Sequence, residues 1–245
     1  MTFRQPVGPS PDARSLSHDR PAHRATVTRH ALLVAAGTQF ATSGYHGSPL
    51  REILARCGVT KGALYFHFHD KQALADAVIA ATTATWRDMG ATVRARGFDP
   101  LHTLILQTEQ VVELMSTDPI VRGGIRLLND PGVPTTRATE HYGYLETATT
   151  AQLTAASHLL RDEVDIPALA RSLITAVAGH NLICERTGTL DQLGDRVASL
   201  WRVIAPLIAT DSWLDAHRAD PPWENCAPTR CCQPGESRPS VGDQV

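Results

Sequence analysis

From about residue 24 to residue 210 the apolar residues recur every three or four positions, and no stretch between turn signals keeps a period of two. A chain patterned this way buries its apolar side chains only by packing helix on helix, so the expected fold class is all-α. With 42% hydrophobic and 20% charged residues over 245 positions there is enough apolar material for a sizeable core. The pattern predicts helices over 24–42, 48–57, from 60, and over 70–94, 100–115, 118–129, 137–163, 166–186 and 190–208. Residues 1–22, rich in Pro, Ser and Arg, and the Pro-rich residues 213–245 are expected to be a disordered arm and tail.

The second and third segments are short and separated by Cys57-Gly58-Val59, with Gly58 placed to stop one helix and Thr60 to cap the next. Ser48 and Pro49 suit the N-cap and first position of the second helix. Two short helices joined by a tight glycine turn, after a longer first helix, describe a helix-turn-helix over 23–69. The third segment carries the chemistry. Thr60 and Lys61 sit where a helix start favours anions, and Gly62 and Ala63 let a backbone approach closely. Tyr65 and His67 offer polar tips to phosphates or base edges, and Lys71 offers a second charge at the start of the long helix. Leu64, Phe66 and Phe68 are expected in the core.

Charge distribution agrees with this placement. The whole chain carries −2, yet residues 1–80 hold nine basic against five acidic side chains, a net +4, leaving −6 for the remainder. Both lysines of the chain, Lys61 and Lys71, fall in this region.

Other chemistry is thin. There is no glycine-rich phosphate loop, nucleophile elbow or His-Glu-x-x-His, so no catalytic residue, cofactor or enzyme activity is expected. Cys226, Cys231 and Cys232, with His217 nearby, fit no strong zinc spacing and read more readily as incidental thiols, so no metal is expected. No apolar run approaches the ~18 residues of a membrane helix and no signal-peptide core is present, which predicts a cytoplasmic protein without a membrane partner. Leu193, Val197, Leu200, Ile204 and Leu207 are spaced 4, 3, 4, 3, and Leu173 and Val177 lie on the preceding helix. This seam faces either a second copy, as a homodimer, or the chain's own core. His180 and Asn181 lie inside an apolar helix, as a buried pair, a dimer contact or ligand partners.

The run Val59 to Phe68, followed by Lys71 and Leu74, closely resembles the recognition-helix signature of TetR-family repressors. Phe40, Gly44, Tyr45 and Ile53 also fall where that family has them. Ser48 stands where a Thr is usual and Gln72 where a Glu is usual. The resemblance implies a ligand-binding and dimerisation domain over 70–212. It also implies binding of double-stranded operator DNA through Ser48, Thr60, Lys61, Gly62, Ala63, Tyr65, His67 and Lys71. Residues 97–101, 118–127 and 200–201 are similar to γ-butyrolactone-type autoregulator receptors, which leave DNA on binding small lipophilic signalling molecules of the lactone, butenolide or furan class. That likeness implies a ligand site near Trp86, Val111, Leu127, Leu128 and Tyr144. Tyr144 occupies a position where this group commonly has Trp, which suits a more polar ligand or a pseudo-receptor answering a different metabolite. A repressor of an efflux or catabolic gene shares the same fold expectation.

Overall fold

The computed structural model describes residues 19–130, 132–133 and 135–224. Among these residues ten α-helices follow one another: α1 (Asp19–Ser43), α2 (Leu50–Cys57), α3 (Lys61–His67), α4 (Lys71–Arg94), α5 (Pro100–Thr117), α6 (Pro119–Leu128), α7 (Thr135–Ala155), α8 (Ile166–Thr187), α9 (Leu193–Ile208) and α10 (Asp211–Ala216). Among the described residues there is no strand, only an isolated antiparallel bridge between Leu160 and Ala209.

The helix boundaries follow local chemistry. Asp70 accepts from Ala73 N at 2.7 Å ahead of α4, Asp99 from Leu101 N and His102 N ahead of α5, and Asp165 from Ala168 N ahead of α8. Gly58 ends α2 at φ +65°, the left-handed conformation that glycine adopts without penalty. Three expectations are corrected. Ser48 does not cap α2, because Pro49 occupies the N-cap position and no side chain completes it. α7 stops at Ala155 rather than 163, since the chain must extend at Leu160 to pair Arg161 N with Ile208 O and Leu159 O with Thr210 N. The expected disordered tail is structured to Glu224: Thr210 caps α10, and Trp213 and Trp223 are buried with ring centroids 6.3 Å apart. The remainder of that tail, and residues 1–18 of the expected arm, lie outside the described residues.

The chain divides into two compact units. The first joins Met1–Thr83 with Pro119–Ala138, and the second joins Ala84–Asp118 with Thr139–Val245. In the first, Leu32, Ala36 and Phe40 of α1 share a core with Ile53, Leu64, Phe68, Leu74, Val78, Ile120 and Leu127. Backbone lies against backbone where α1 crosses α6. A Cβ on Gly123 would lie 2.5 Å from Gly37 Cα, and one on Gly37 would lie 2.8 Å from Ile120 Cα. Thr82 Oγ1 binds the carbonyls of Val78 (3.0 Å) and Ile120 (3.1 Å), fastening α4 to α6 within this unit.

The second unit packs α9 against α5 and α8. The core stripe of α9 is Leu193, Val197, Trp201, Ala205 and Ile208, and that of α8 is Ala170, Leu173, Val177, Asn181 and Cys184. α8 is also the one described helix long and apolar enough to cross a membrane by length and composition, which corrects the expectation that no such segment exists. It carries Arg171, His180, Asn181 and Glu185 along its length.

A methyl group at Gly123 has no room unless α1 and α6 separate. Gly123→Ala gains about 1 kcal/mol of helix propensity, yet it should lose about 1–3 kcal/mol net to the backbone clash. Thermal unfolding followed by circular dichroism reads this as a lowered midpoint. Gly143→Ala on α7, where an added Cβ meets nothing within 4 Å, should raise the midpoint instead.

Candidate nucleic-acid interface

α2 and α3 are held from beneath by Ile53, Leu64 and Phe68, all buried in the core of the first unit. What remains outward is the face carrying Lys61, Gly62, Tyr65 and Phe66. Thr60 caps α3 by accepting from Ala63 N at 3.2 Å. Lys61 Nζ lies 5.8 Å from the Tyr65 ring centroid, so the cation and the phenol occupy one patch. Ala63 and His67 are half-buried at its edge. Nothing lies within 4 Å of a Cβ built on Gly62, so no group of the first unit requires glycine there, although glycine in a helix costs about 0.5–1 kcal/mol relative to alanine. The patch is open to an external backbone.

Phe66 is 77% exposed, which corrects its expected core role. Leu64 and Phe68 are four residues apart and share the inward side of α3, and a residue midway between them must point the opposite way. Helical spacing within the motif contained that information. Its ring meets His67 edge-on at 5.0 Å, extending the aromatic part of the exposed face.

Ser48 is also corrected. Its side chain is fully buried, and its hydroxyl donates to Gly44 O at 2.6 Å with Gln39 O at 3.2 Å, so it braces the turn before α2 and faces no phosphate. Lys71 is half-buried with Nζ 4.4 Å from the Tyr45 ring centroid. Burial lowers its pKa and nearby Asp130 acts in the opposite direction. Further cations stand on this unit: Arg51, 83% exposed, and Arg56, which donates to Gln39 Oε1 at 3.2 Å.

The turn that carries Tyr45 is pinned by the segment after α6. Asp130 Oδ2 accepts from Tyr45 N at 2.8 Å and Oδ1 from Gly132 N at 2.9 Å. Burial raises the Asp130 pKa, but these two N–H groups and the charges of His46 and Arg126 outweigh it and leave the carboxyl below its ordinary value.

The expected ligand residues divide between the two units. Leu127 is fully buried in the core of the first unit and Leu128 packs against that core. In the second unit Trp86 is buried with its ring 4.8 Å from that of His141, and its Nε1 has no hydrogen-bond partner among the described residues. Burial pushes His141 down to about 4, so its ring is neutral at pH 7. Arg87 lies 5.1 Å over the Tyr144 ring, and Tyr144 and Val111 are half-buried. A separate open groove of about 440 Å³ runs between α4 and α5, lined by Thr85, Met89, Val93, Gln110 and Leu114 among others, and none of the expected ligand residues borders it.

The expected dimer seam is split. Leu173, Val177, Leu193 and Val197 are buried inside the second unit, while Leu200 and Ile204 are half-buried. The core stripe of α9 advances mostly by fours, which turns the outward apolar stripe to Leu200, Val203, Ile204 and Leu207. Val203 is 64% and Leu207 68% exposed, and Leu182 and Ile183 of α8 are exposed as well.

Comparison with known proteins agrees with this geometry. Residues 32–78 match the family described as bacterial regulatory proteins, tetR family, and residues 98–208 match the tetracyclin repressor-like C-terminal domain. The chain is 30% identical over 189 residues to the A-factor receptor protein of Streptomyces griseus, covering 76% of this chain and 65% of that protein. It therefore spans slightly less than two thirds of that relative's length. A structure described as a gamma-butyrolactone receptor (ArpA-like protein) superposes with a TM-score of 0.71 at 27% identity, over 83% of this chain and 98% of the other. CprB from Streptomyces coelicolor, solved in complex with its biological operator sequence, superposes with a TM-score of 0.70 at 26% identity, over 84% and 98%.

Because the folded-state pKa of Asp130 is depressed, its charge stabilises the fold above the ordinary value of 3.8, and that contribution is lost as pH falls through the folded-state value. Asp130→Asn should lower the unfolding midpoint at pH 7, with the difference from the parent chain closing below pH 3.8. A difference that stays constant from pH 7 to pH 3 would remove the charge from this account.

Proposed function

The chain belongs to the TetR family of bacterial regulatory proteins, and from that premise we propose that it is a ligand-released transcriptional repressor that binds palindromic operator DNA as a homodimer in the cytoplasm. The observation that carries this reading is the exposed patch of Lys61, Gly62, Tyr65 and Phe66 on a short helix whose opposite side is locked into a core. Lys61, the Thr60 hydroxyl and Tyr65 hold phosphates, the open side of Gly62 admits the sugar-phosphate backbone, and His67 reaches toward base edges. Phe66 supplies an apolar contact of the kind that reads a thymine methyl. Lys71 and Tyr45 act as a pair at the edge of the same unit.

The dimer face of this reading is the outward stripe Leu200, Val203, Ile204 and Leu207 with Leu182 and Ile183, in place of the buried residues that the sequence pattern suggested. Covering these side chains with a second copy removes apolar surface from water. Two heads on two half-sites then gain from effective concentration, which a single seven-residue recognition helix cannot supply.

We assign the effector to a small lipophilic signalling molecule of the γ-butyrolactone, butenolide or furan class, which supports a role in controlling secondary metabolism. Similarity to a gamma-butyrolactone receptor structure supports this class, as does the buried Trp86 indole N–H, a donor with no partner among the described residues. Neutral His141 and Tyr144 add a few polar groups to an otherwise apolar surround. α4 contains Trp86 in its second half and Lys71 at its start, so ligand and DNA would bear on the same helix. A coupling of ~1–3 kcal/mol suffices for release, provided the ligand prefers the state that does not bind DNA.

Lys61→Ala should weaken operator binding and flatten the plot of log affinity against log salt by about 0.9 for each phosphate that this cation neutralises, measured by fluorescence anisotropy. An unchanged slope would count against α3 as the DNA-contacting element. Tyr144→Ala should bind operator DNA like the parent chain but need a higher concentration of culture extract for release. Release at the parental concentration would remove Tyr144 from the effector site.

A further inference from the structure

At the start of α5, within the second unit, the side chains of Asp99, His102 and His217 converge. Asp99 caps the helix with Oδ1, which accepts from Leu101 N (3.0 Å), His102 N (2.9 Å) and the Trp213 indole (3.1 Å). Its other oxygen, Oδ2, faces His217 Nε2 at 3.5 Å. His217 Nδ1 lies 2.8 Å from Trp213 O, and a carbonyl only accepts, so Nδ1 carries the proton. In a neutral His217 ring, Nε2 is then a bare lone pair 3.5 Å from a carboxylate oxygen. A metal ion between these two acceptors would turn their contact attractive.

The third group favours the metal. His102 is held beside the pair, its ring stacked on Phe98 at 4.4 Å and edge-on to His217 at 5.5 Å. One ligand atom each from Asp99, His102 and His217 lies within 4.8 Å of the other two. Tetrahedral zinc, with bonds of about 2.0–2.1 Å to nitrogen and oxygen, places neighbouring ligand atoms about 3.4 Å apart. The Asp99–His217 separation of 3.5 Å is already close to that value, and His102 lies within 4.8 Å of both. A histidine ligand that donates its other N–H to a backbone carbonyl is the arrangement that orients imidazole toward a metal, and the bond from His217 to Trp213 O supplies it.

The geometry points to a site in which Asp99, His102 and His217 bind a first-row divalent cation, zinc(II) above all, which clamps α10 onto the start of α5. Two imidazoles and one carboxylate suit zinc in preference to magnesium or calcium, which take oxygen donors. The family match ends at residue 208, so His217 and the element that carries it lie beyond the part this chain shares with the family description. The bound ion would tie the His217 imidazole, which directly follows α10, to the cap of α5 through metal bonds, beside the hydrogen bond that the Trp213 indole already makes to Asp99.

The test uses the full chain, stripped with a chelator and titrated with cobalt(II) under visible absorption and with zinc(II) in a calorimeter. One equivalent should bind, with the ligand-field bands of a tetrahedral nitrogen-and-oxygen site, and zinc should raise the unfolding midpoint. His102→Gln and His217→Gln should each weaken binding at least about tenfold and abolish the midpoint shift. Position 102 contributes only its backbone N–H to the Asp99 cap, so His102→Gln keeps that bond, and an unchanged helical circular dichroism spectrum verifies the fold. Three results would overturn the proposal. The first is no saturable binding by the parent chain. The second is undiminished affinity in both variants. The third is thiolate-to-cobalt charge-transfer absorption, which would assign the ion to cysteine ligands instead.

Discussion

The contact of bare backbone at Gly37 and Gly123 fixes the placement of the elements in the first unit. With no side chain between them, α1 and α6 touch at main-chain distance, and the hydroxyl of Thr82 then reaches the Ile120 carbonyl from α4. α1 in turn supplies Leu32, Ala36 and Phe40, the floor on which Ile53 and Leu64 seat α2 and α3. The exposed position of Lys61, Gly62 and Phe66 is therefore set partly by a helix that lies more than fifty residues further along the chain. Interiors at this packing density do not deform smoothly, so a shift of α6 is felt as a choice between discrete arrangements.

Carboxylates fasten several helix starts and turns that apolar contact leaves open. Asp70, Asp99 and Asp165 each close a helix start, and Asp130 ties the segment after α6 to the turn before α2. Asp99 is the most heavily used, since it serves the first turn of α5 and the indole of Trp213 with one oxygen. Each of these groups gains its hold by accepting N–H donors that a helix end or a turn would otherwise leave unsatisfied.

The all-α architecture and the helix-turn-helix were legible because period, glycine placement and cap chemistry are local properties of the chain. The fully buried Leu64 and the capping Thr60 follow from spacing alone. What was not legible depended on neighbours far away in sequence. Ser48 looked like a helix cap until Gln39 O and Gly44 O proved to be the partners of its hydroxyl. Leu193 and Val197 fit a heptad seam as well as a core stripe, and only the packing of α5 and α8 decides which side of α9 is covered. Trp213 and His217 sat in a stretch too poor in aliphatics to suggest a fold. Rings stacked 4.1 Å apart and a bond to Asp99 order them instead. Phe66 is the exception: its exposure was already implied by the spacing of Leu64 and Phe68.

The first unit is not a continuous stretch of chain, since α6 joins it only after α5 has been laid down in the second unit. A ribosome therefore releases α1 to α3 well before the helix that α1 lies against, and the crossing at Gly37 waits until residues 119–128 emerge. The same discontinuity governs exchange of DNA specificity between relatives. A graft that transfers residues up to the middle of α4 carries the reading face but leaves its floor behind, so a head of this type recombines cleanly only when α6 travels with it.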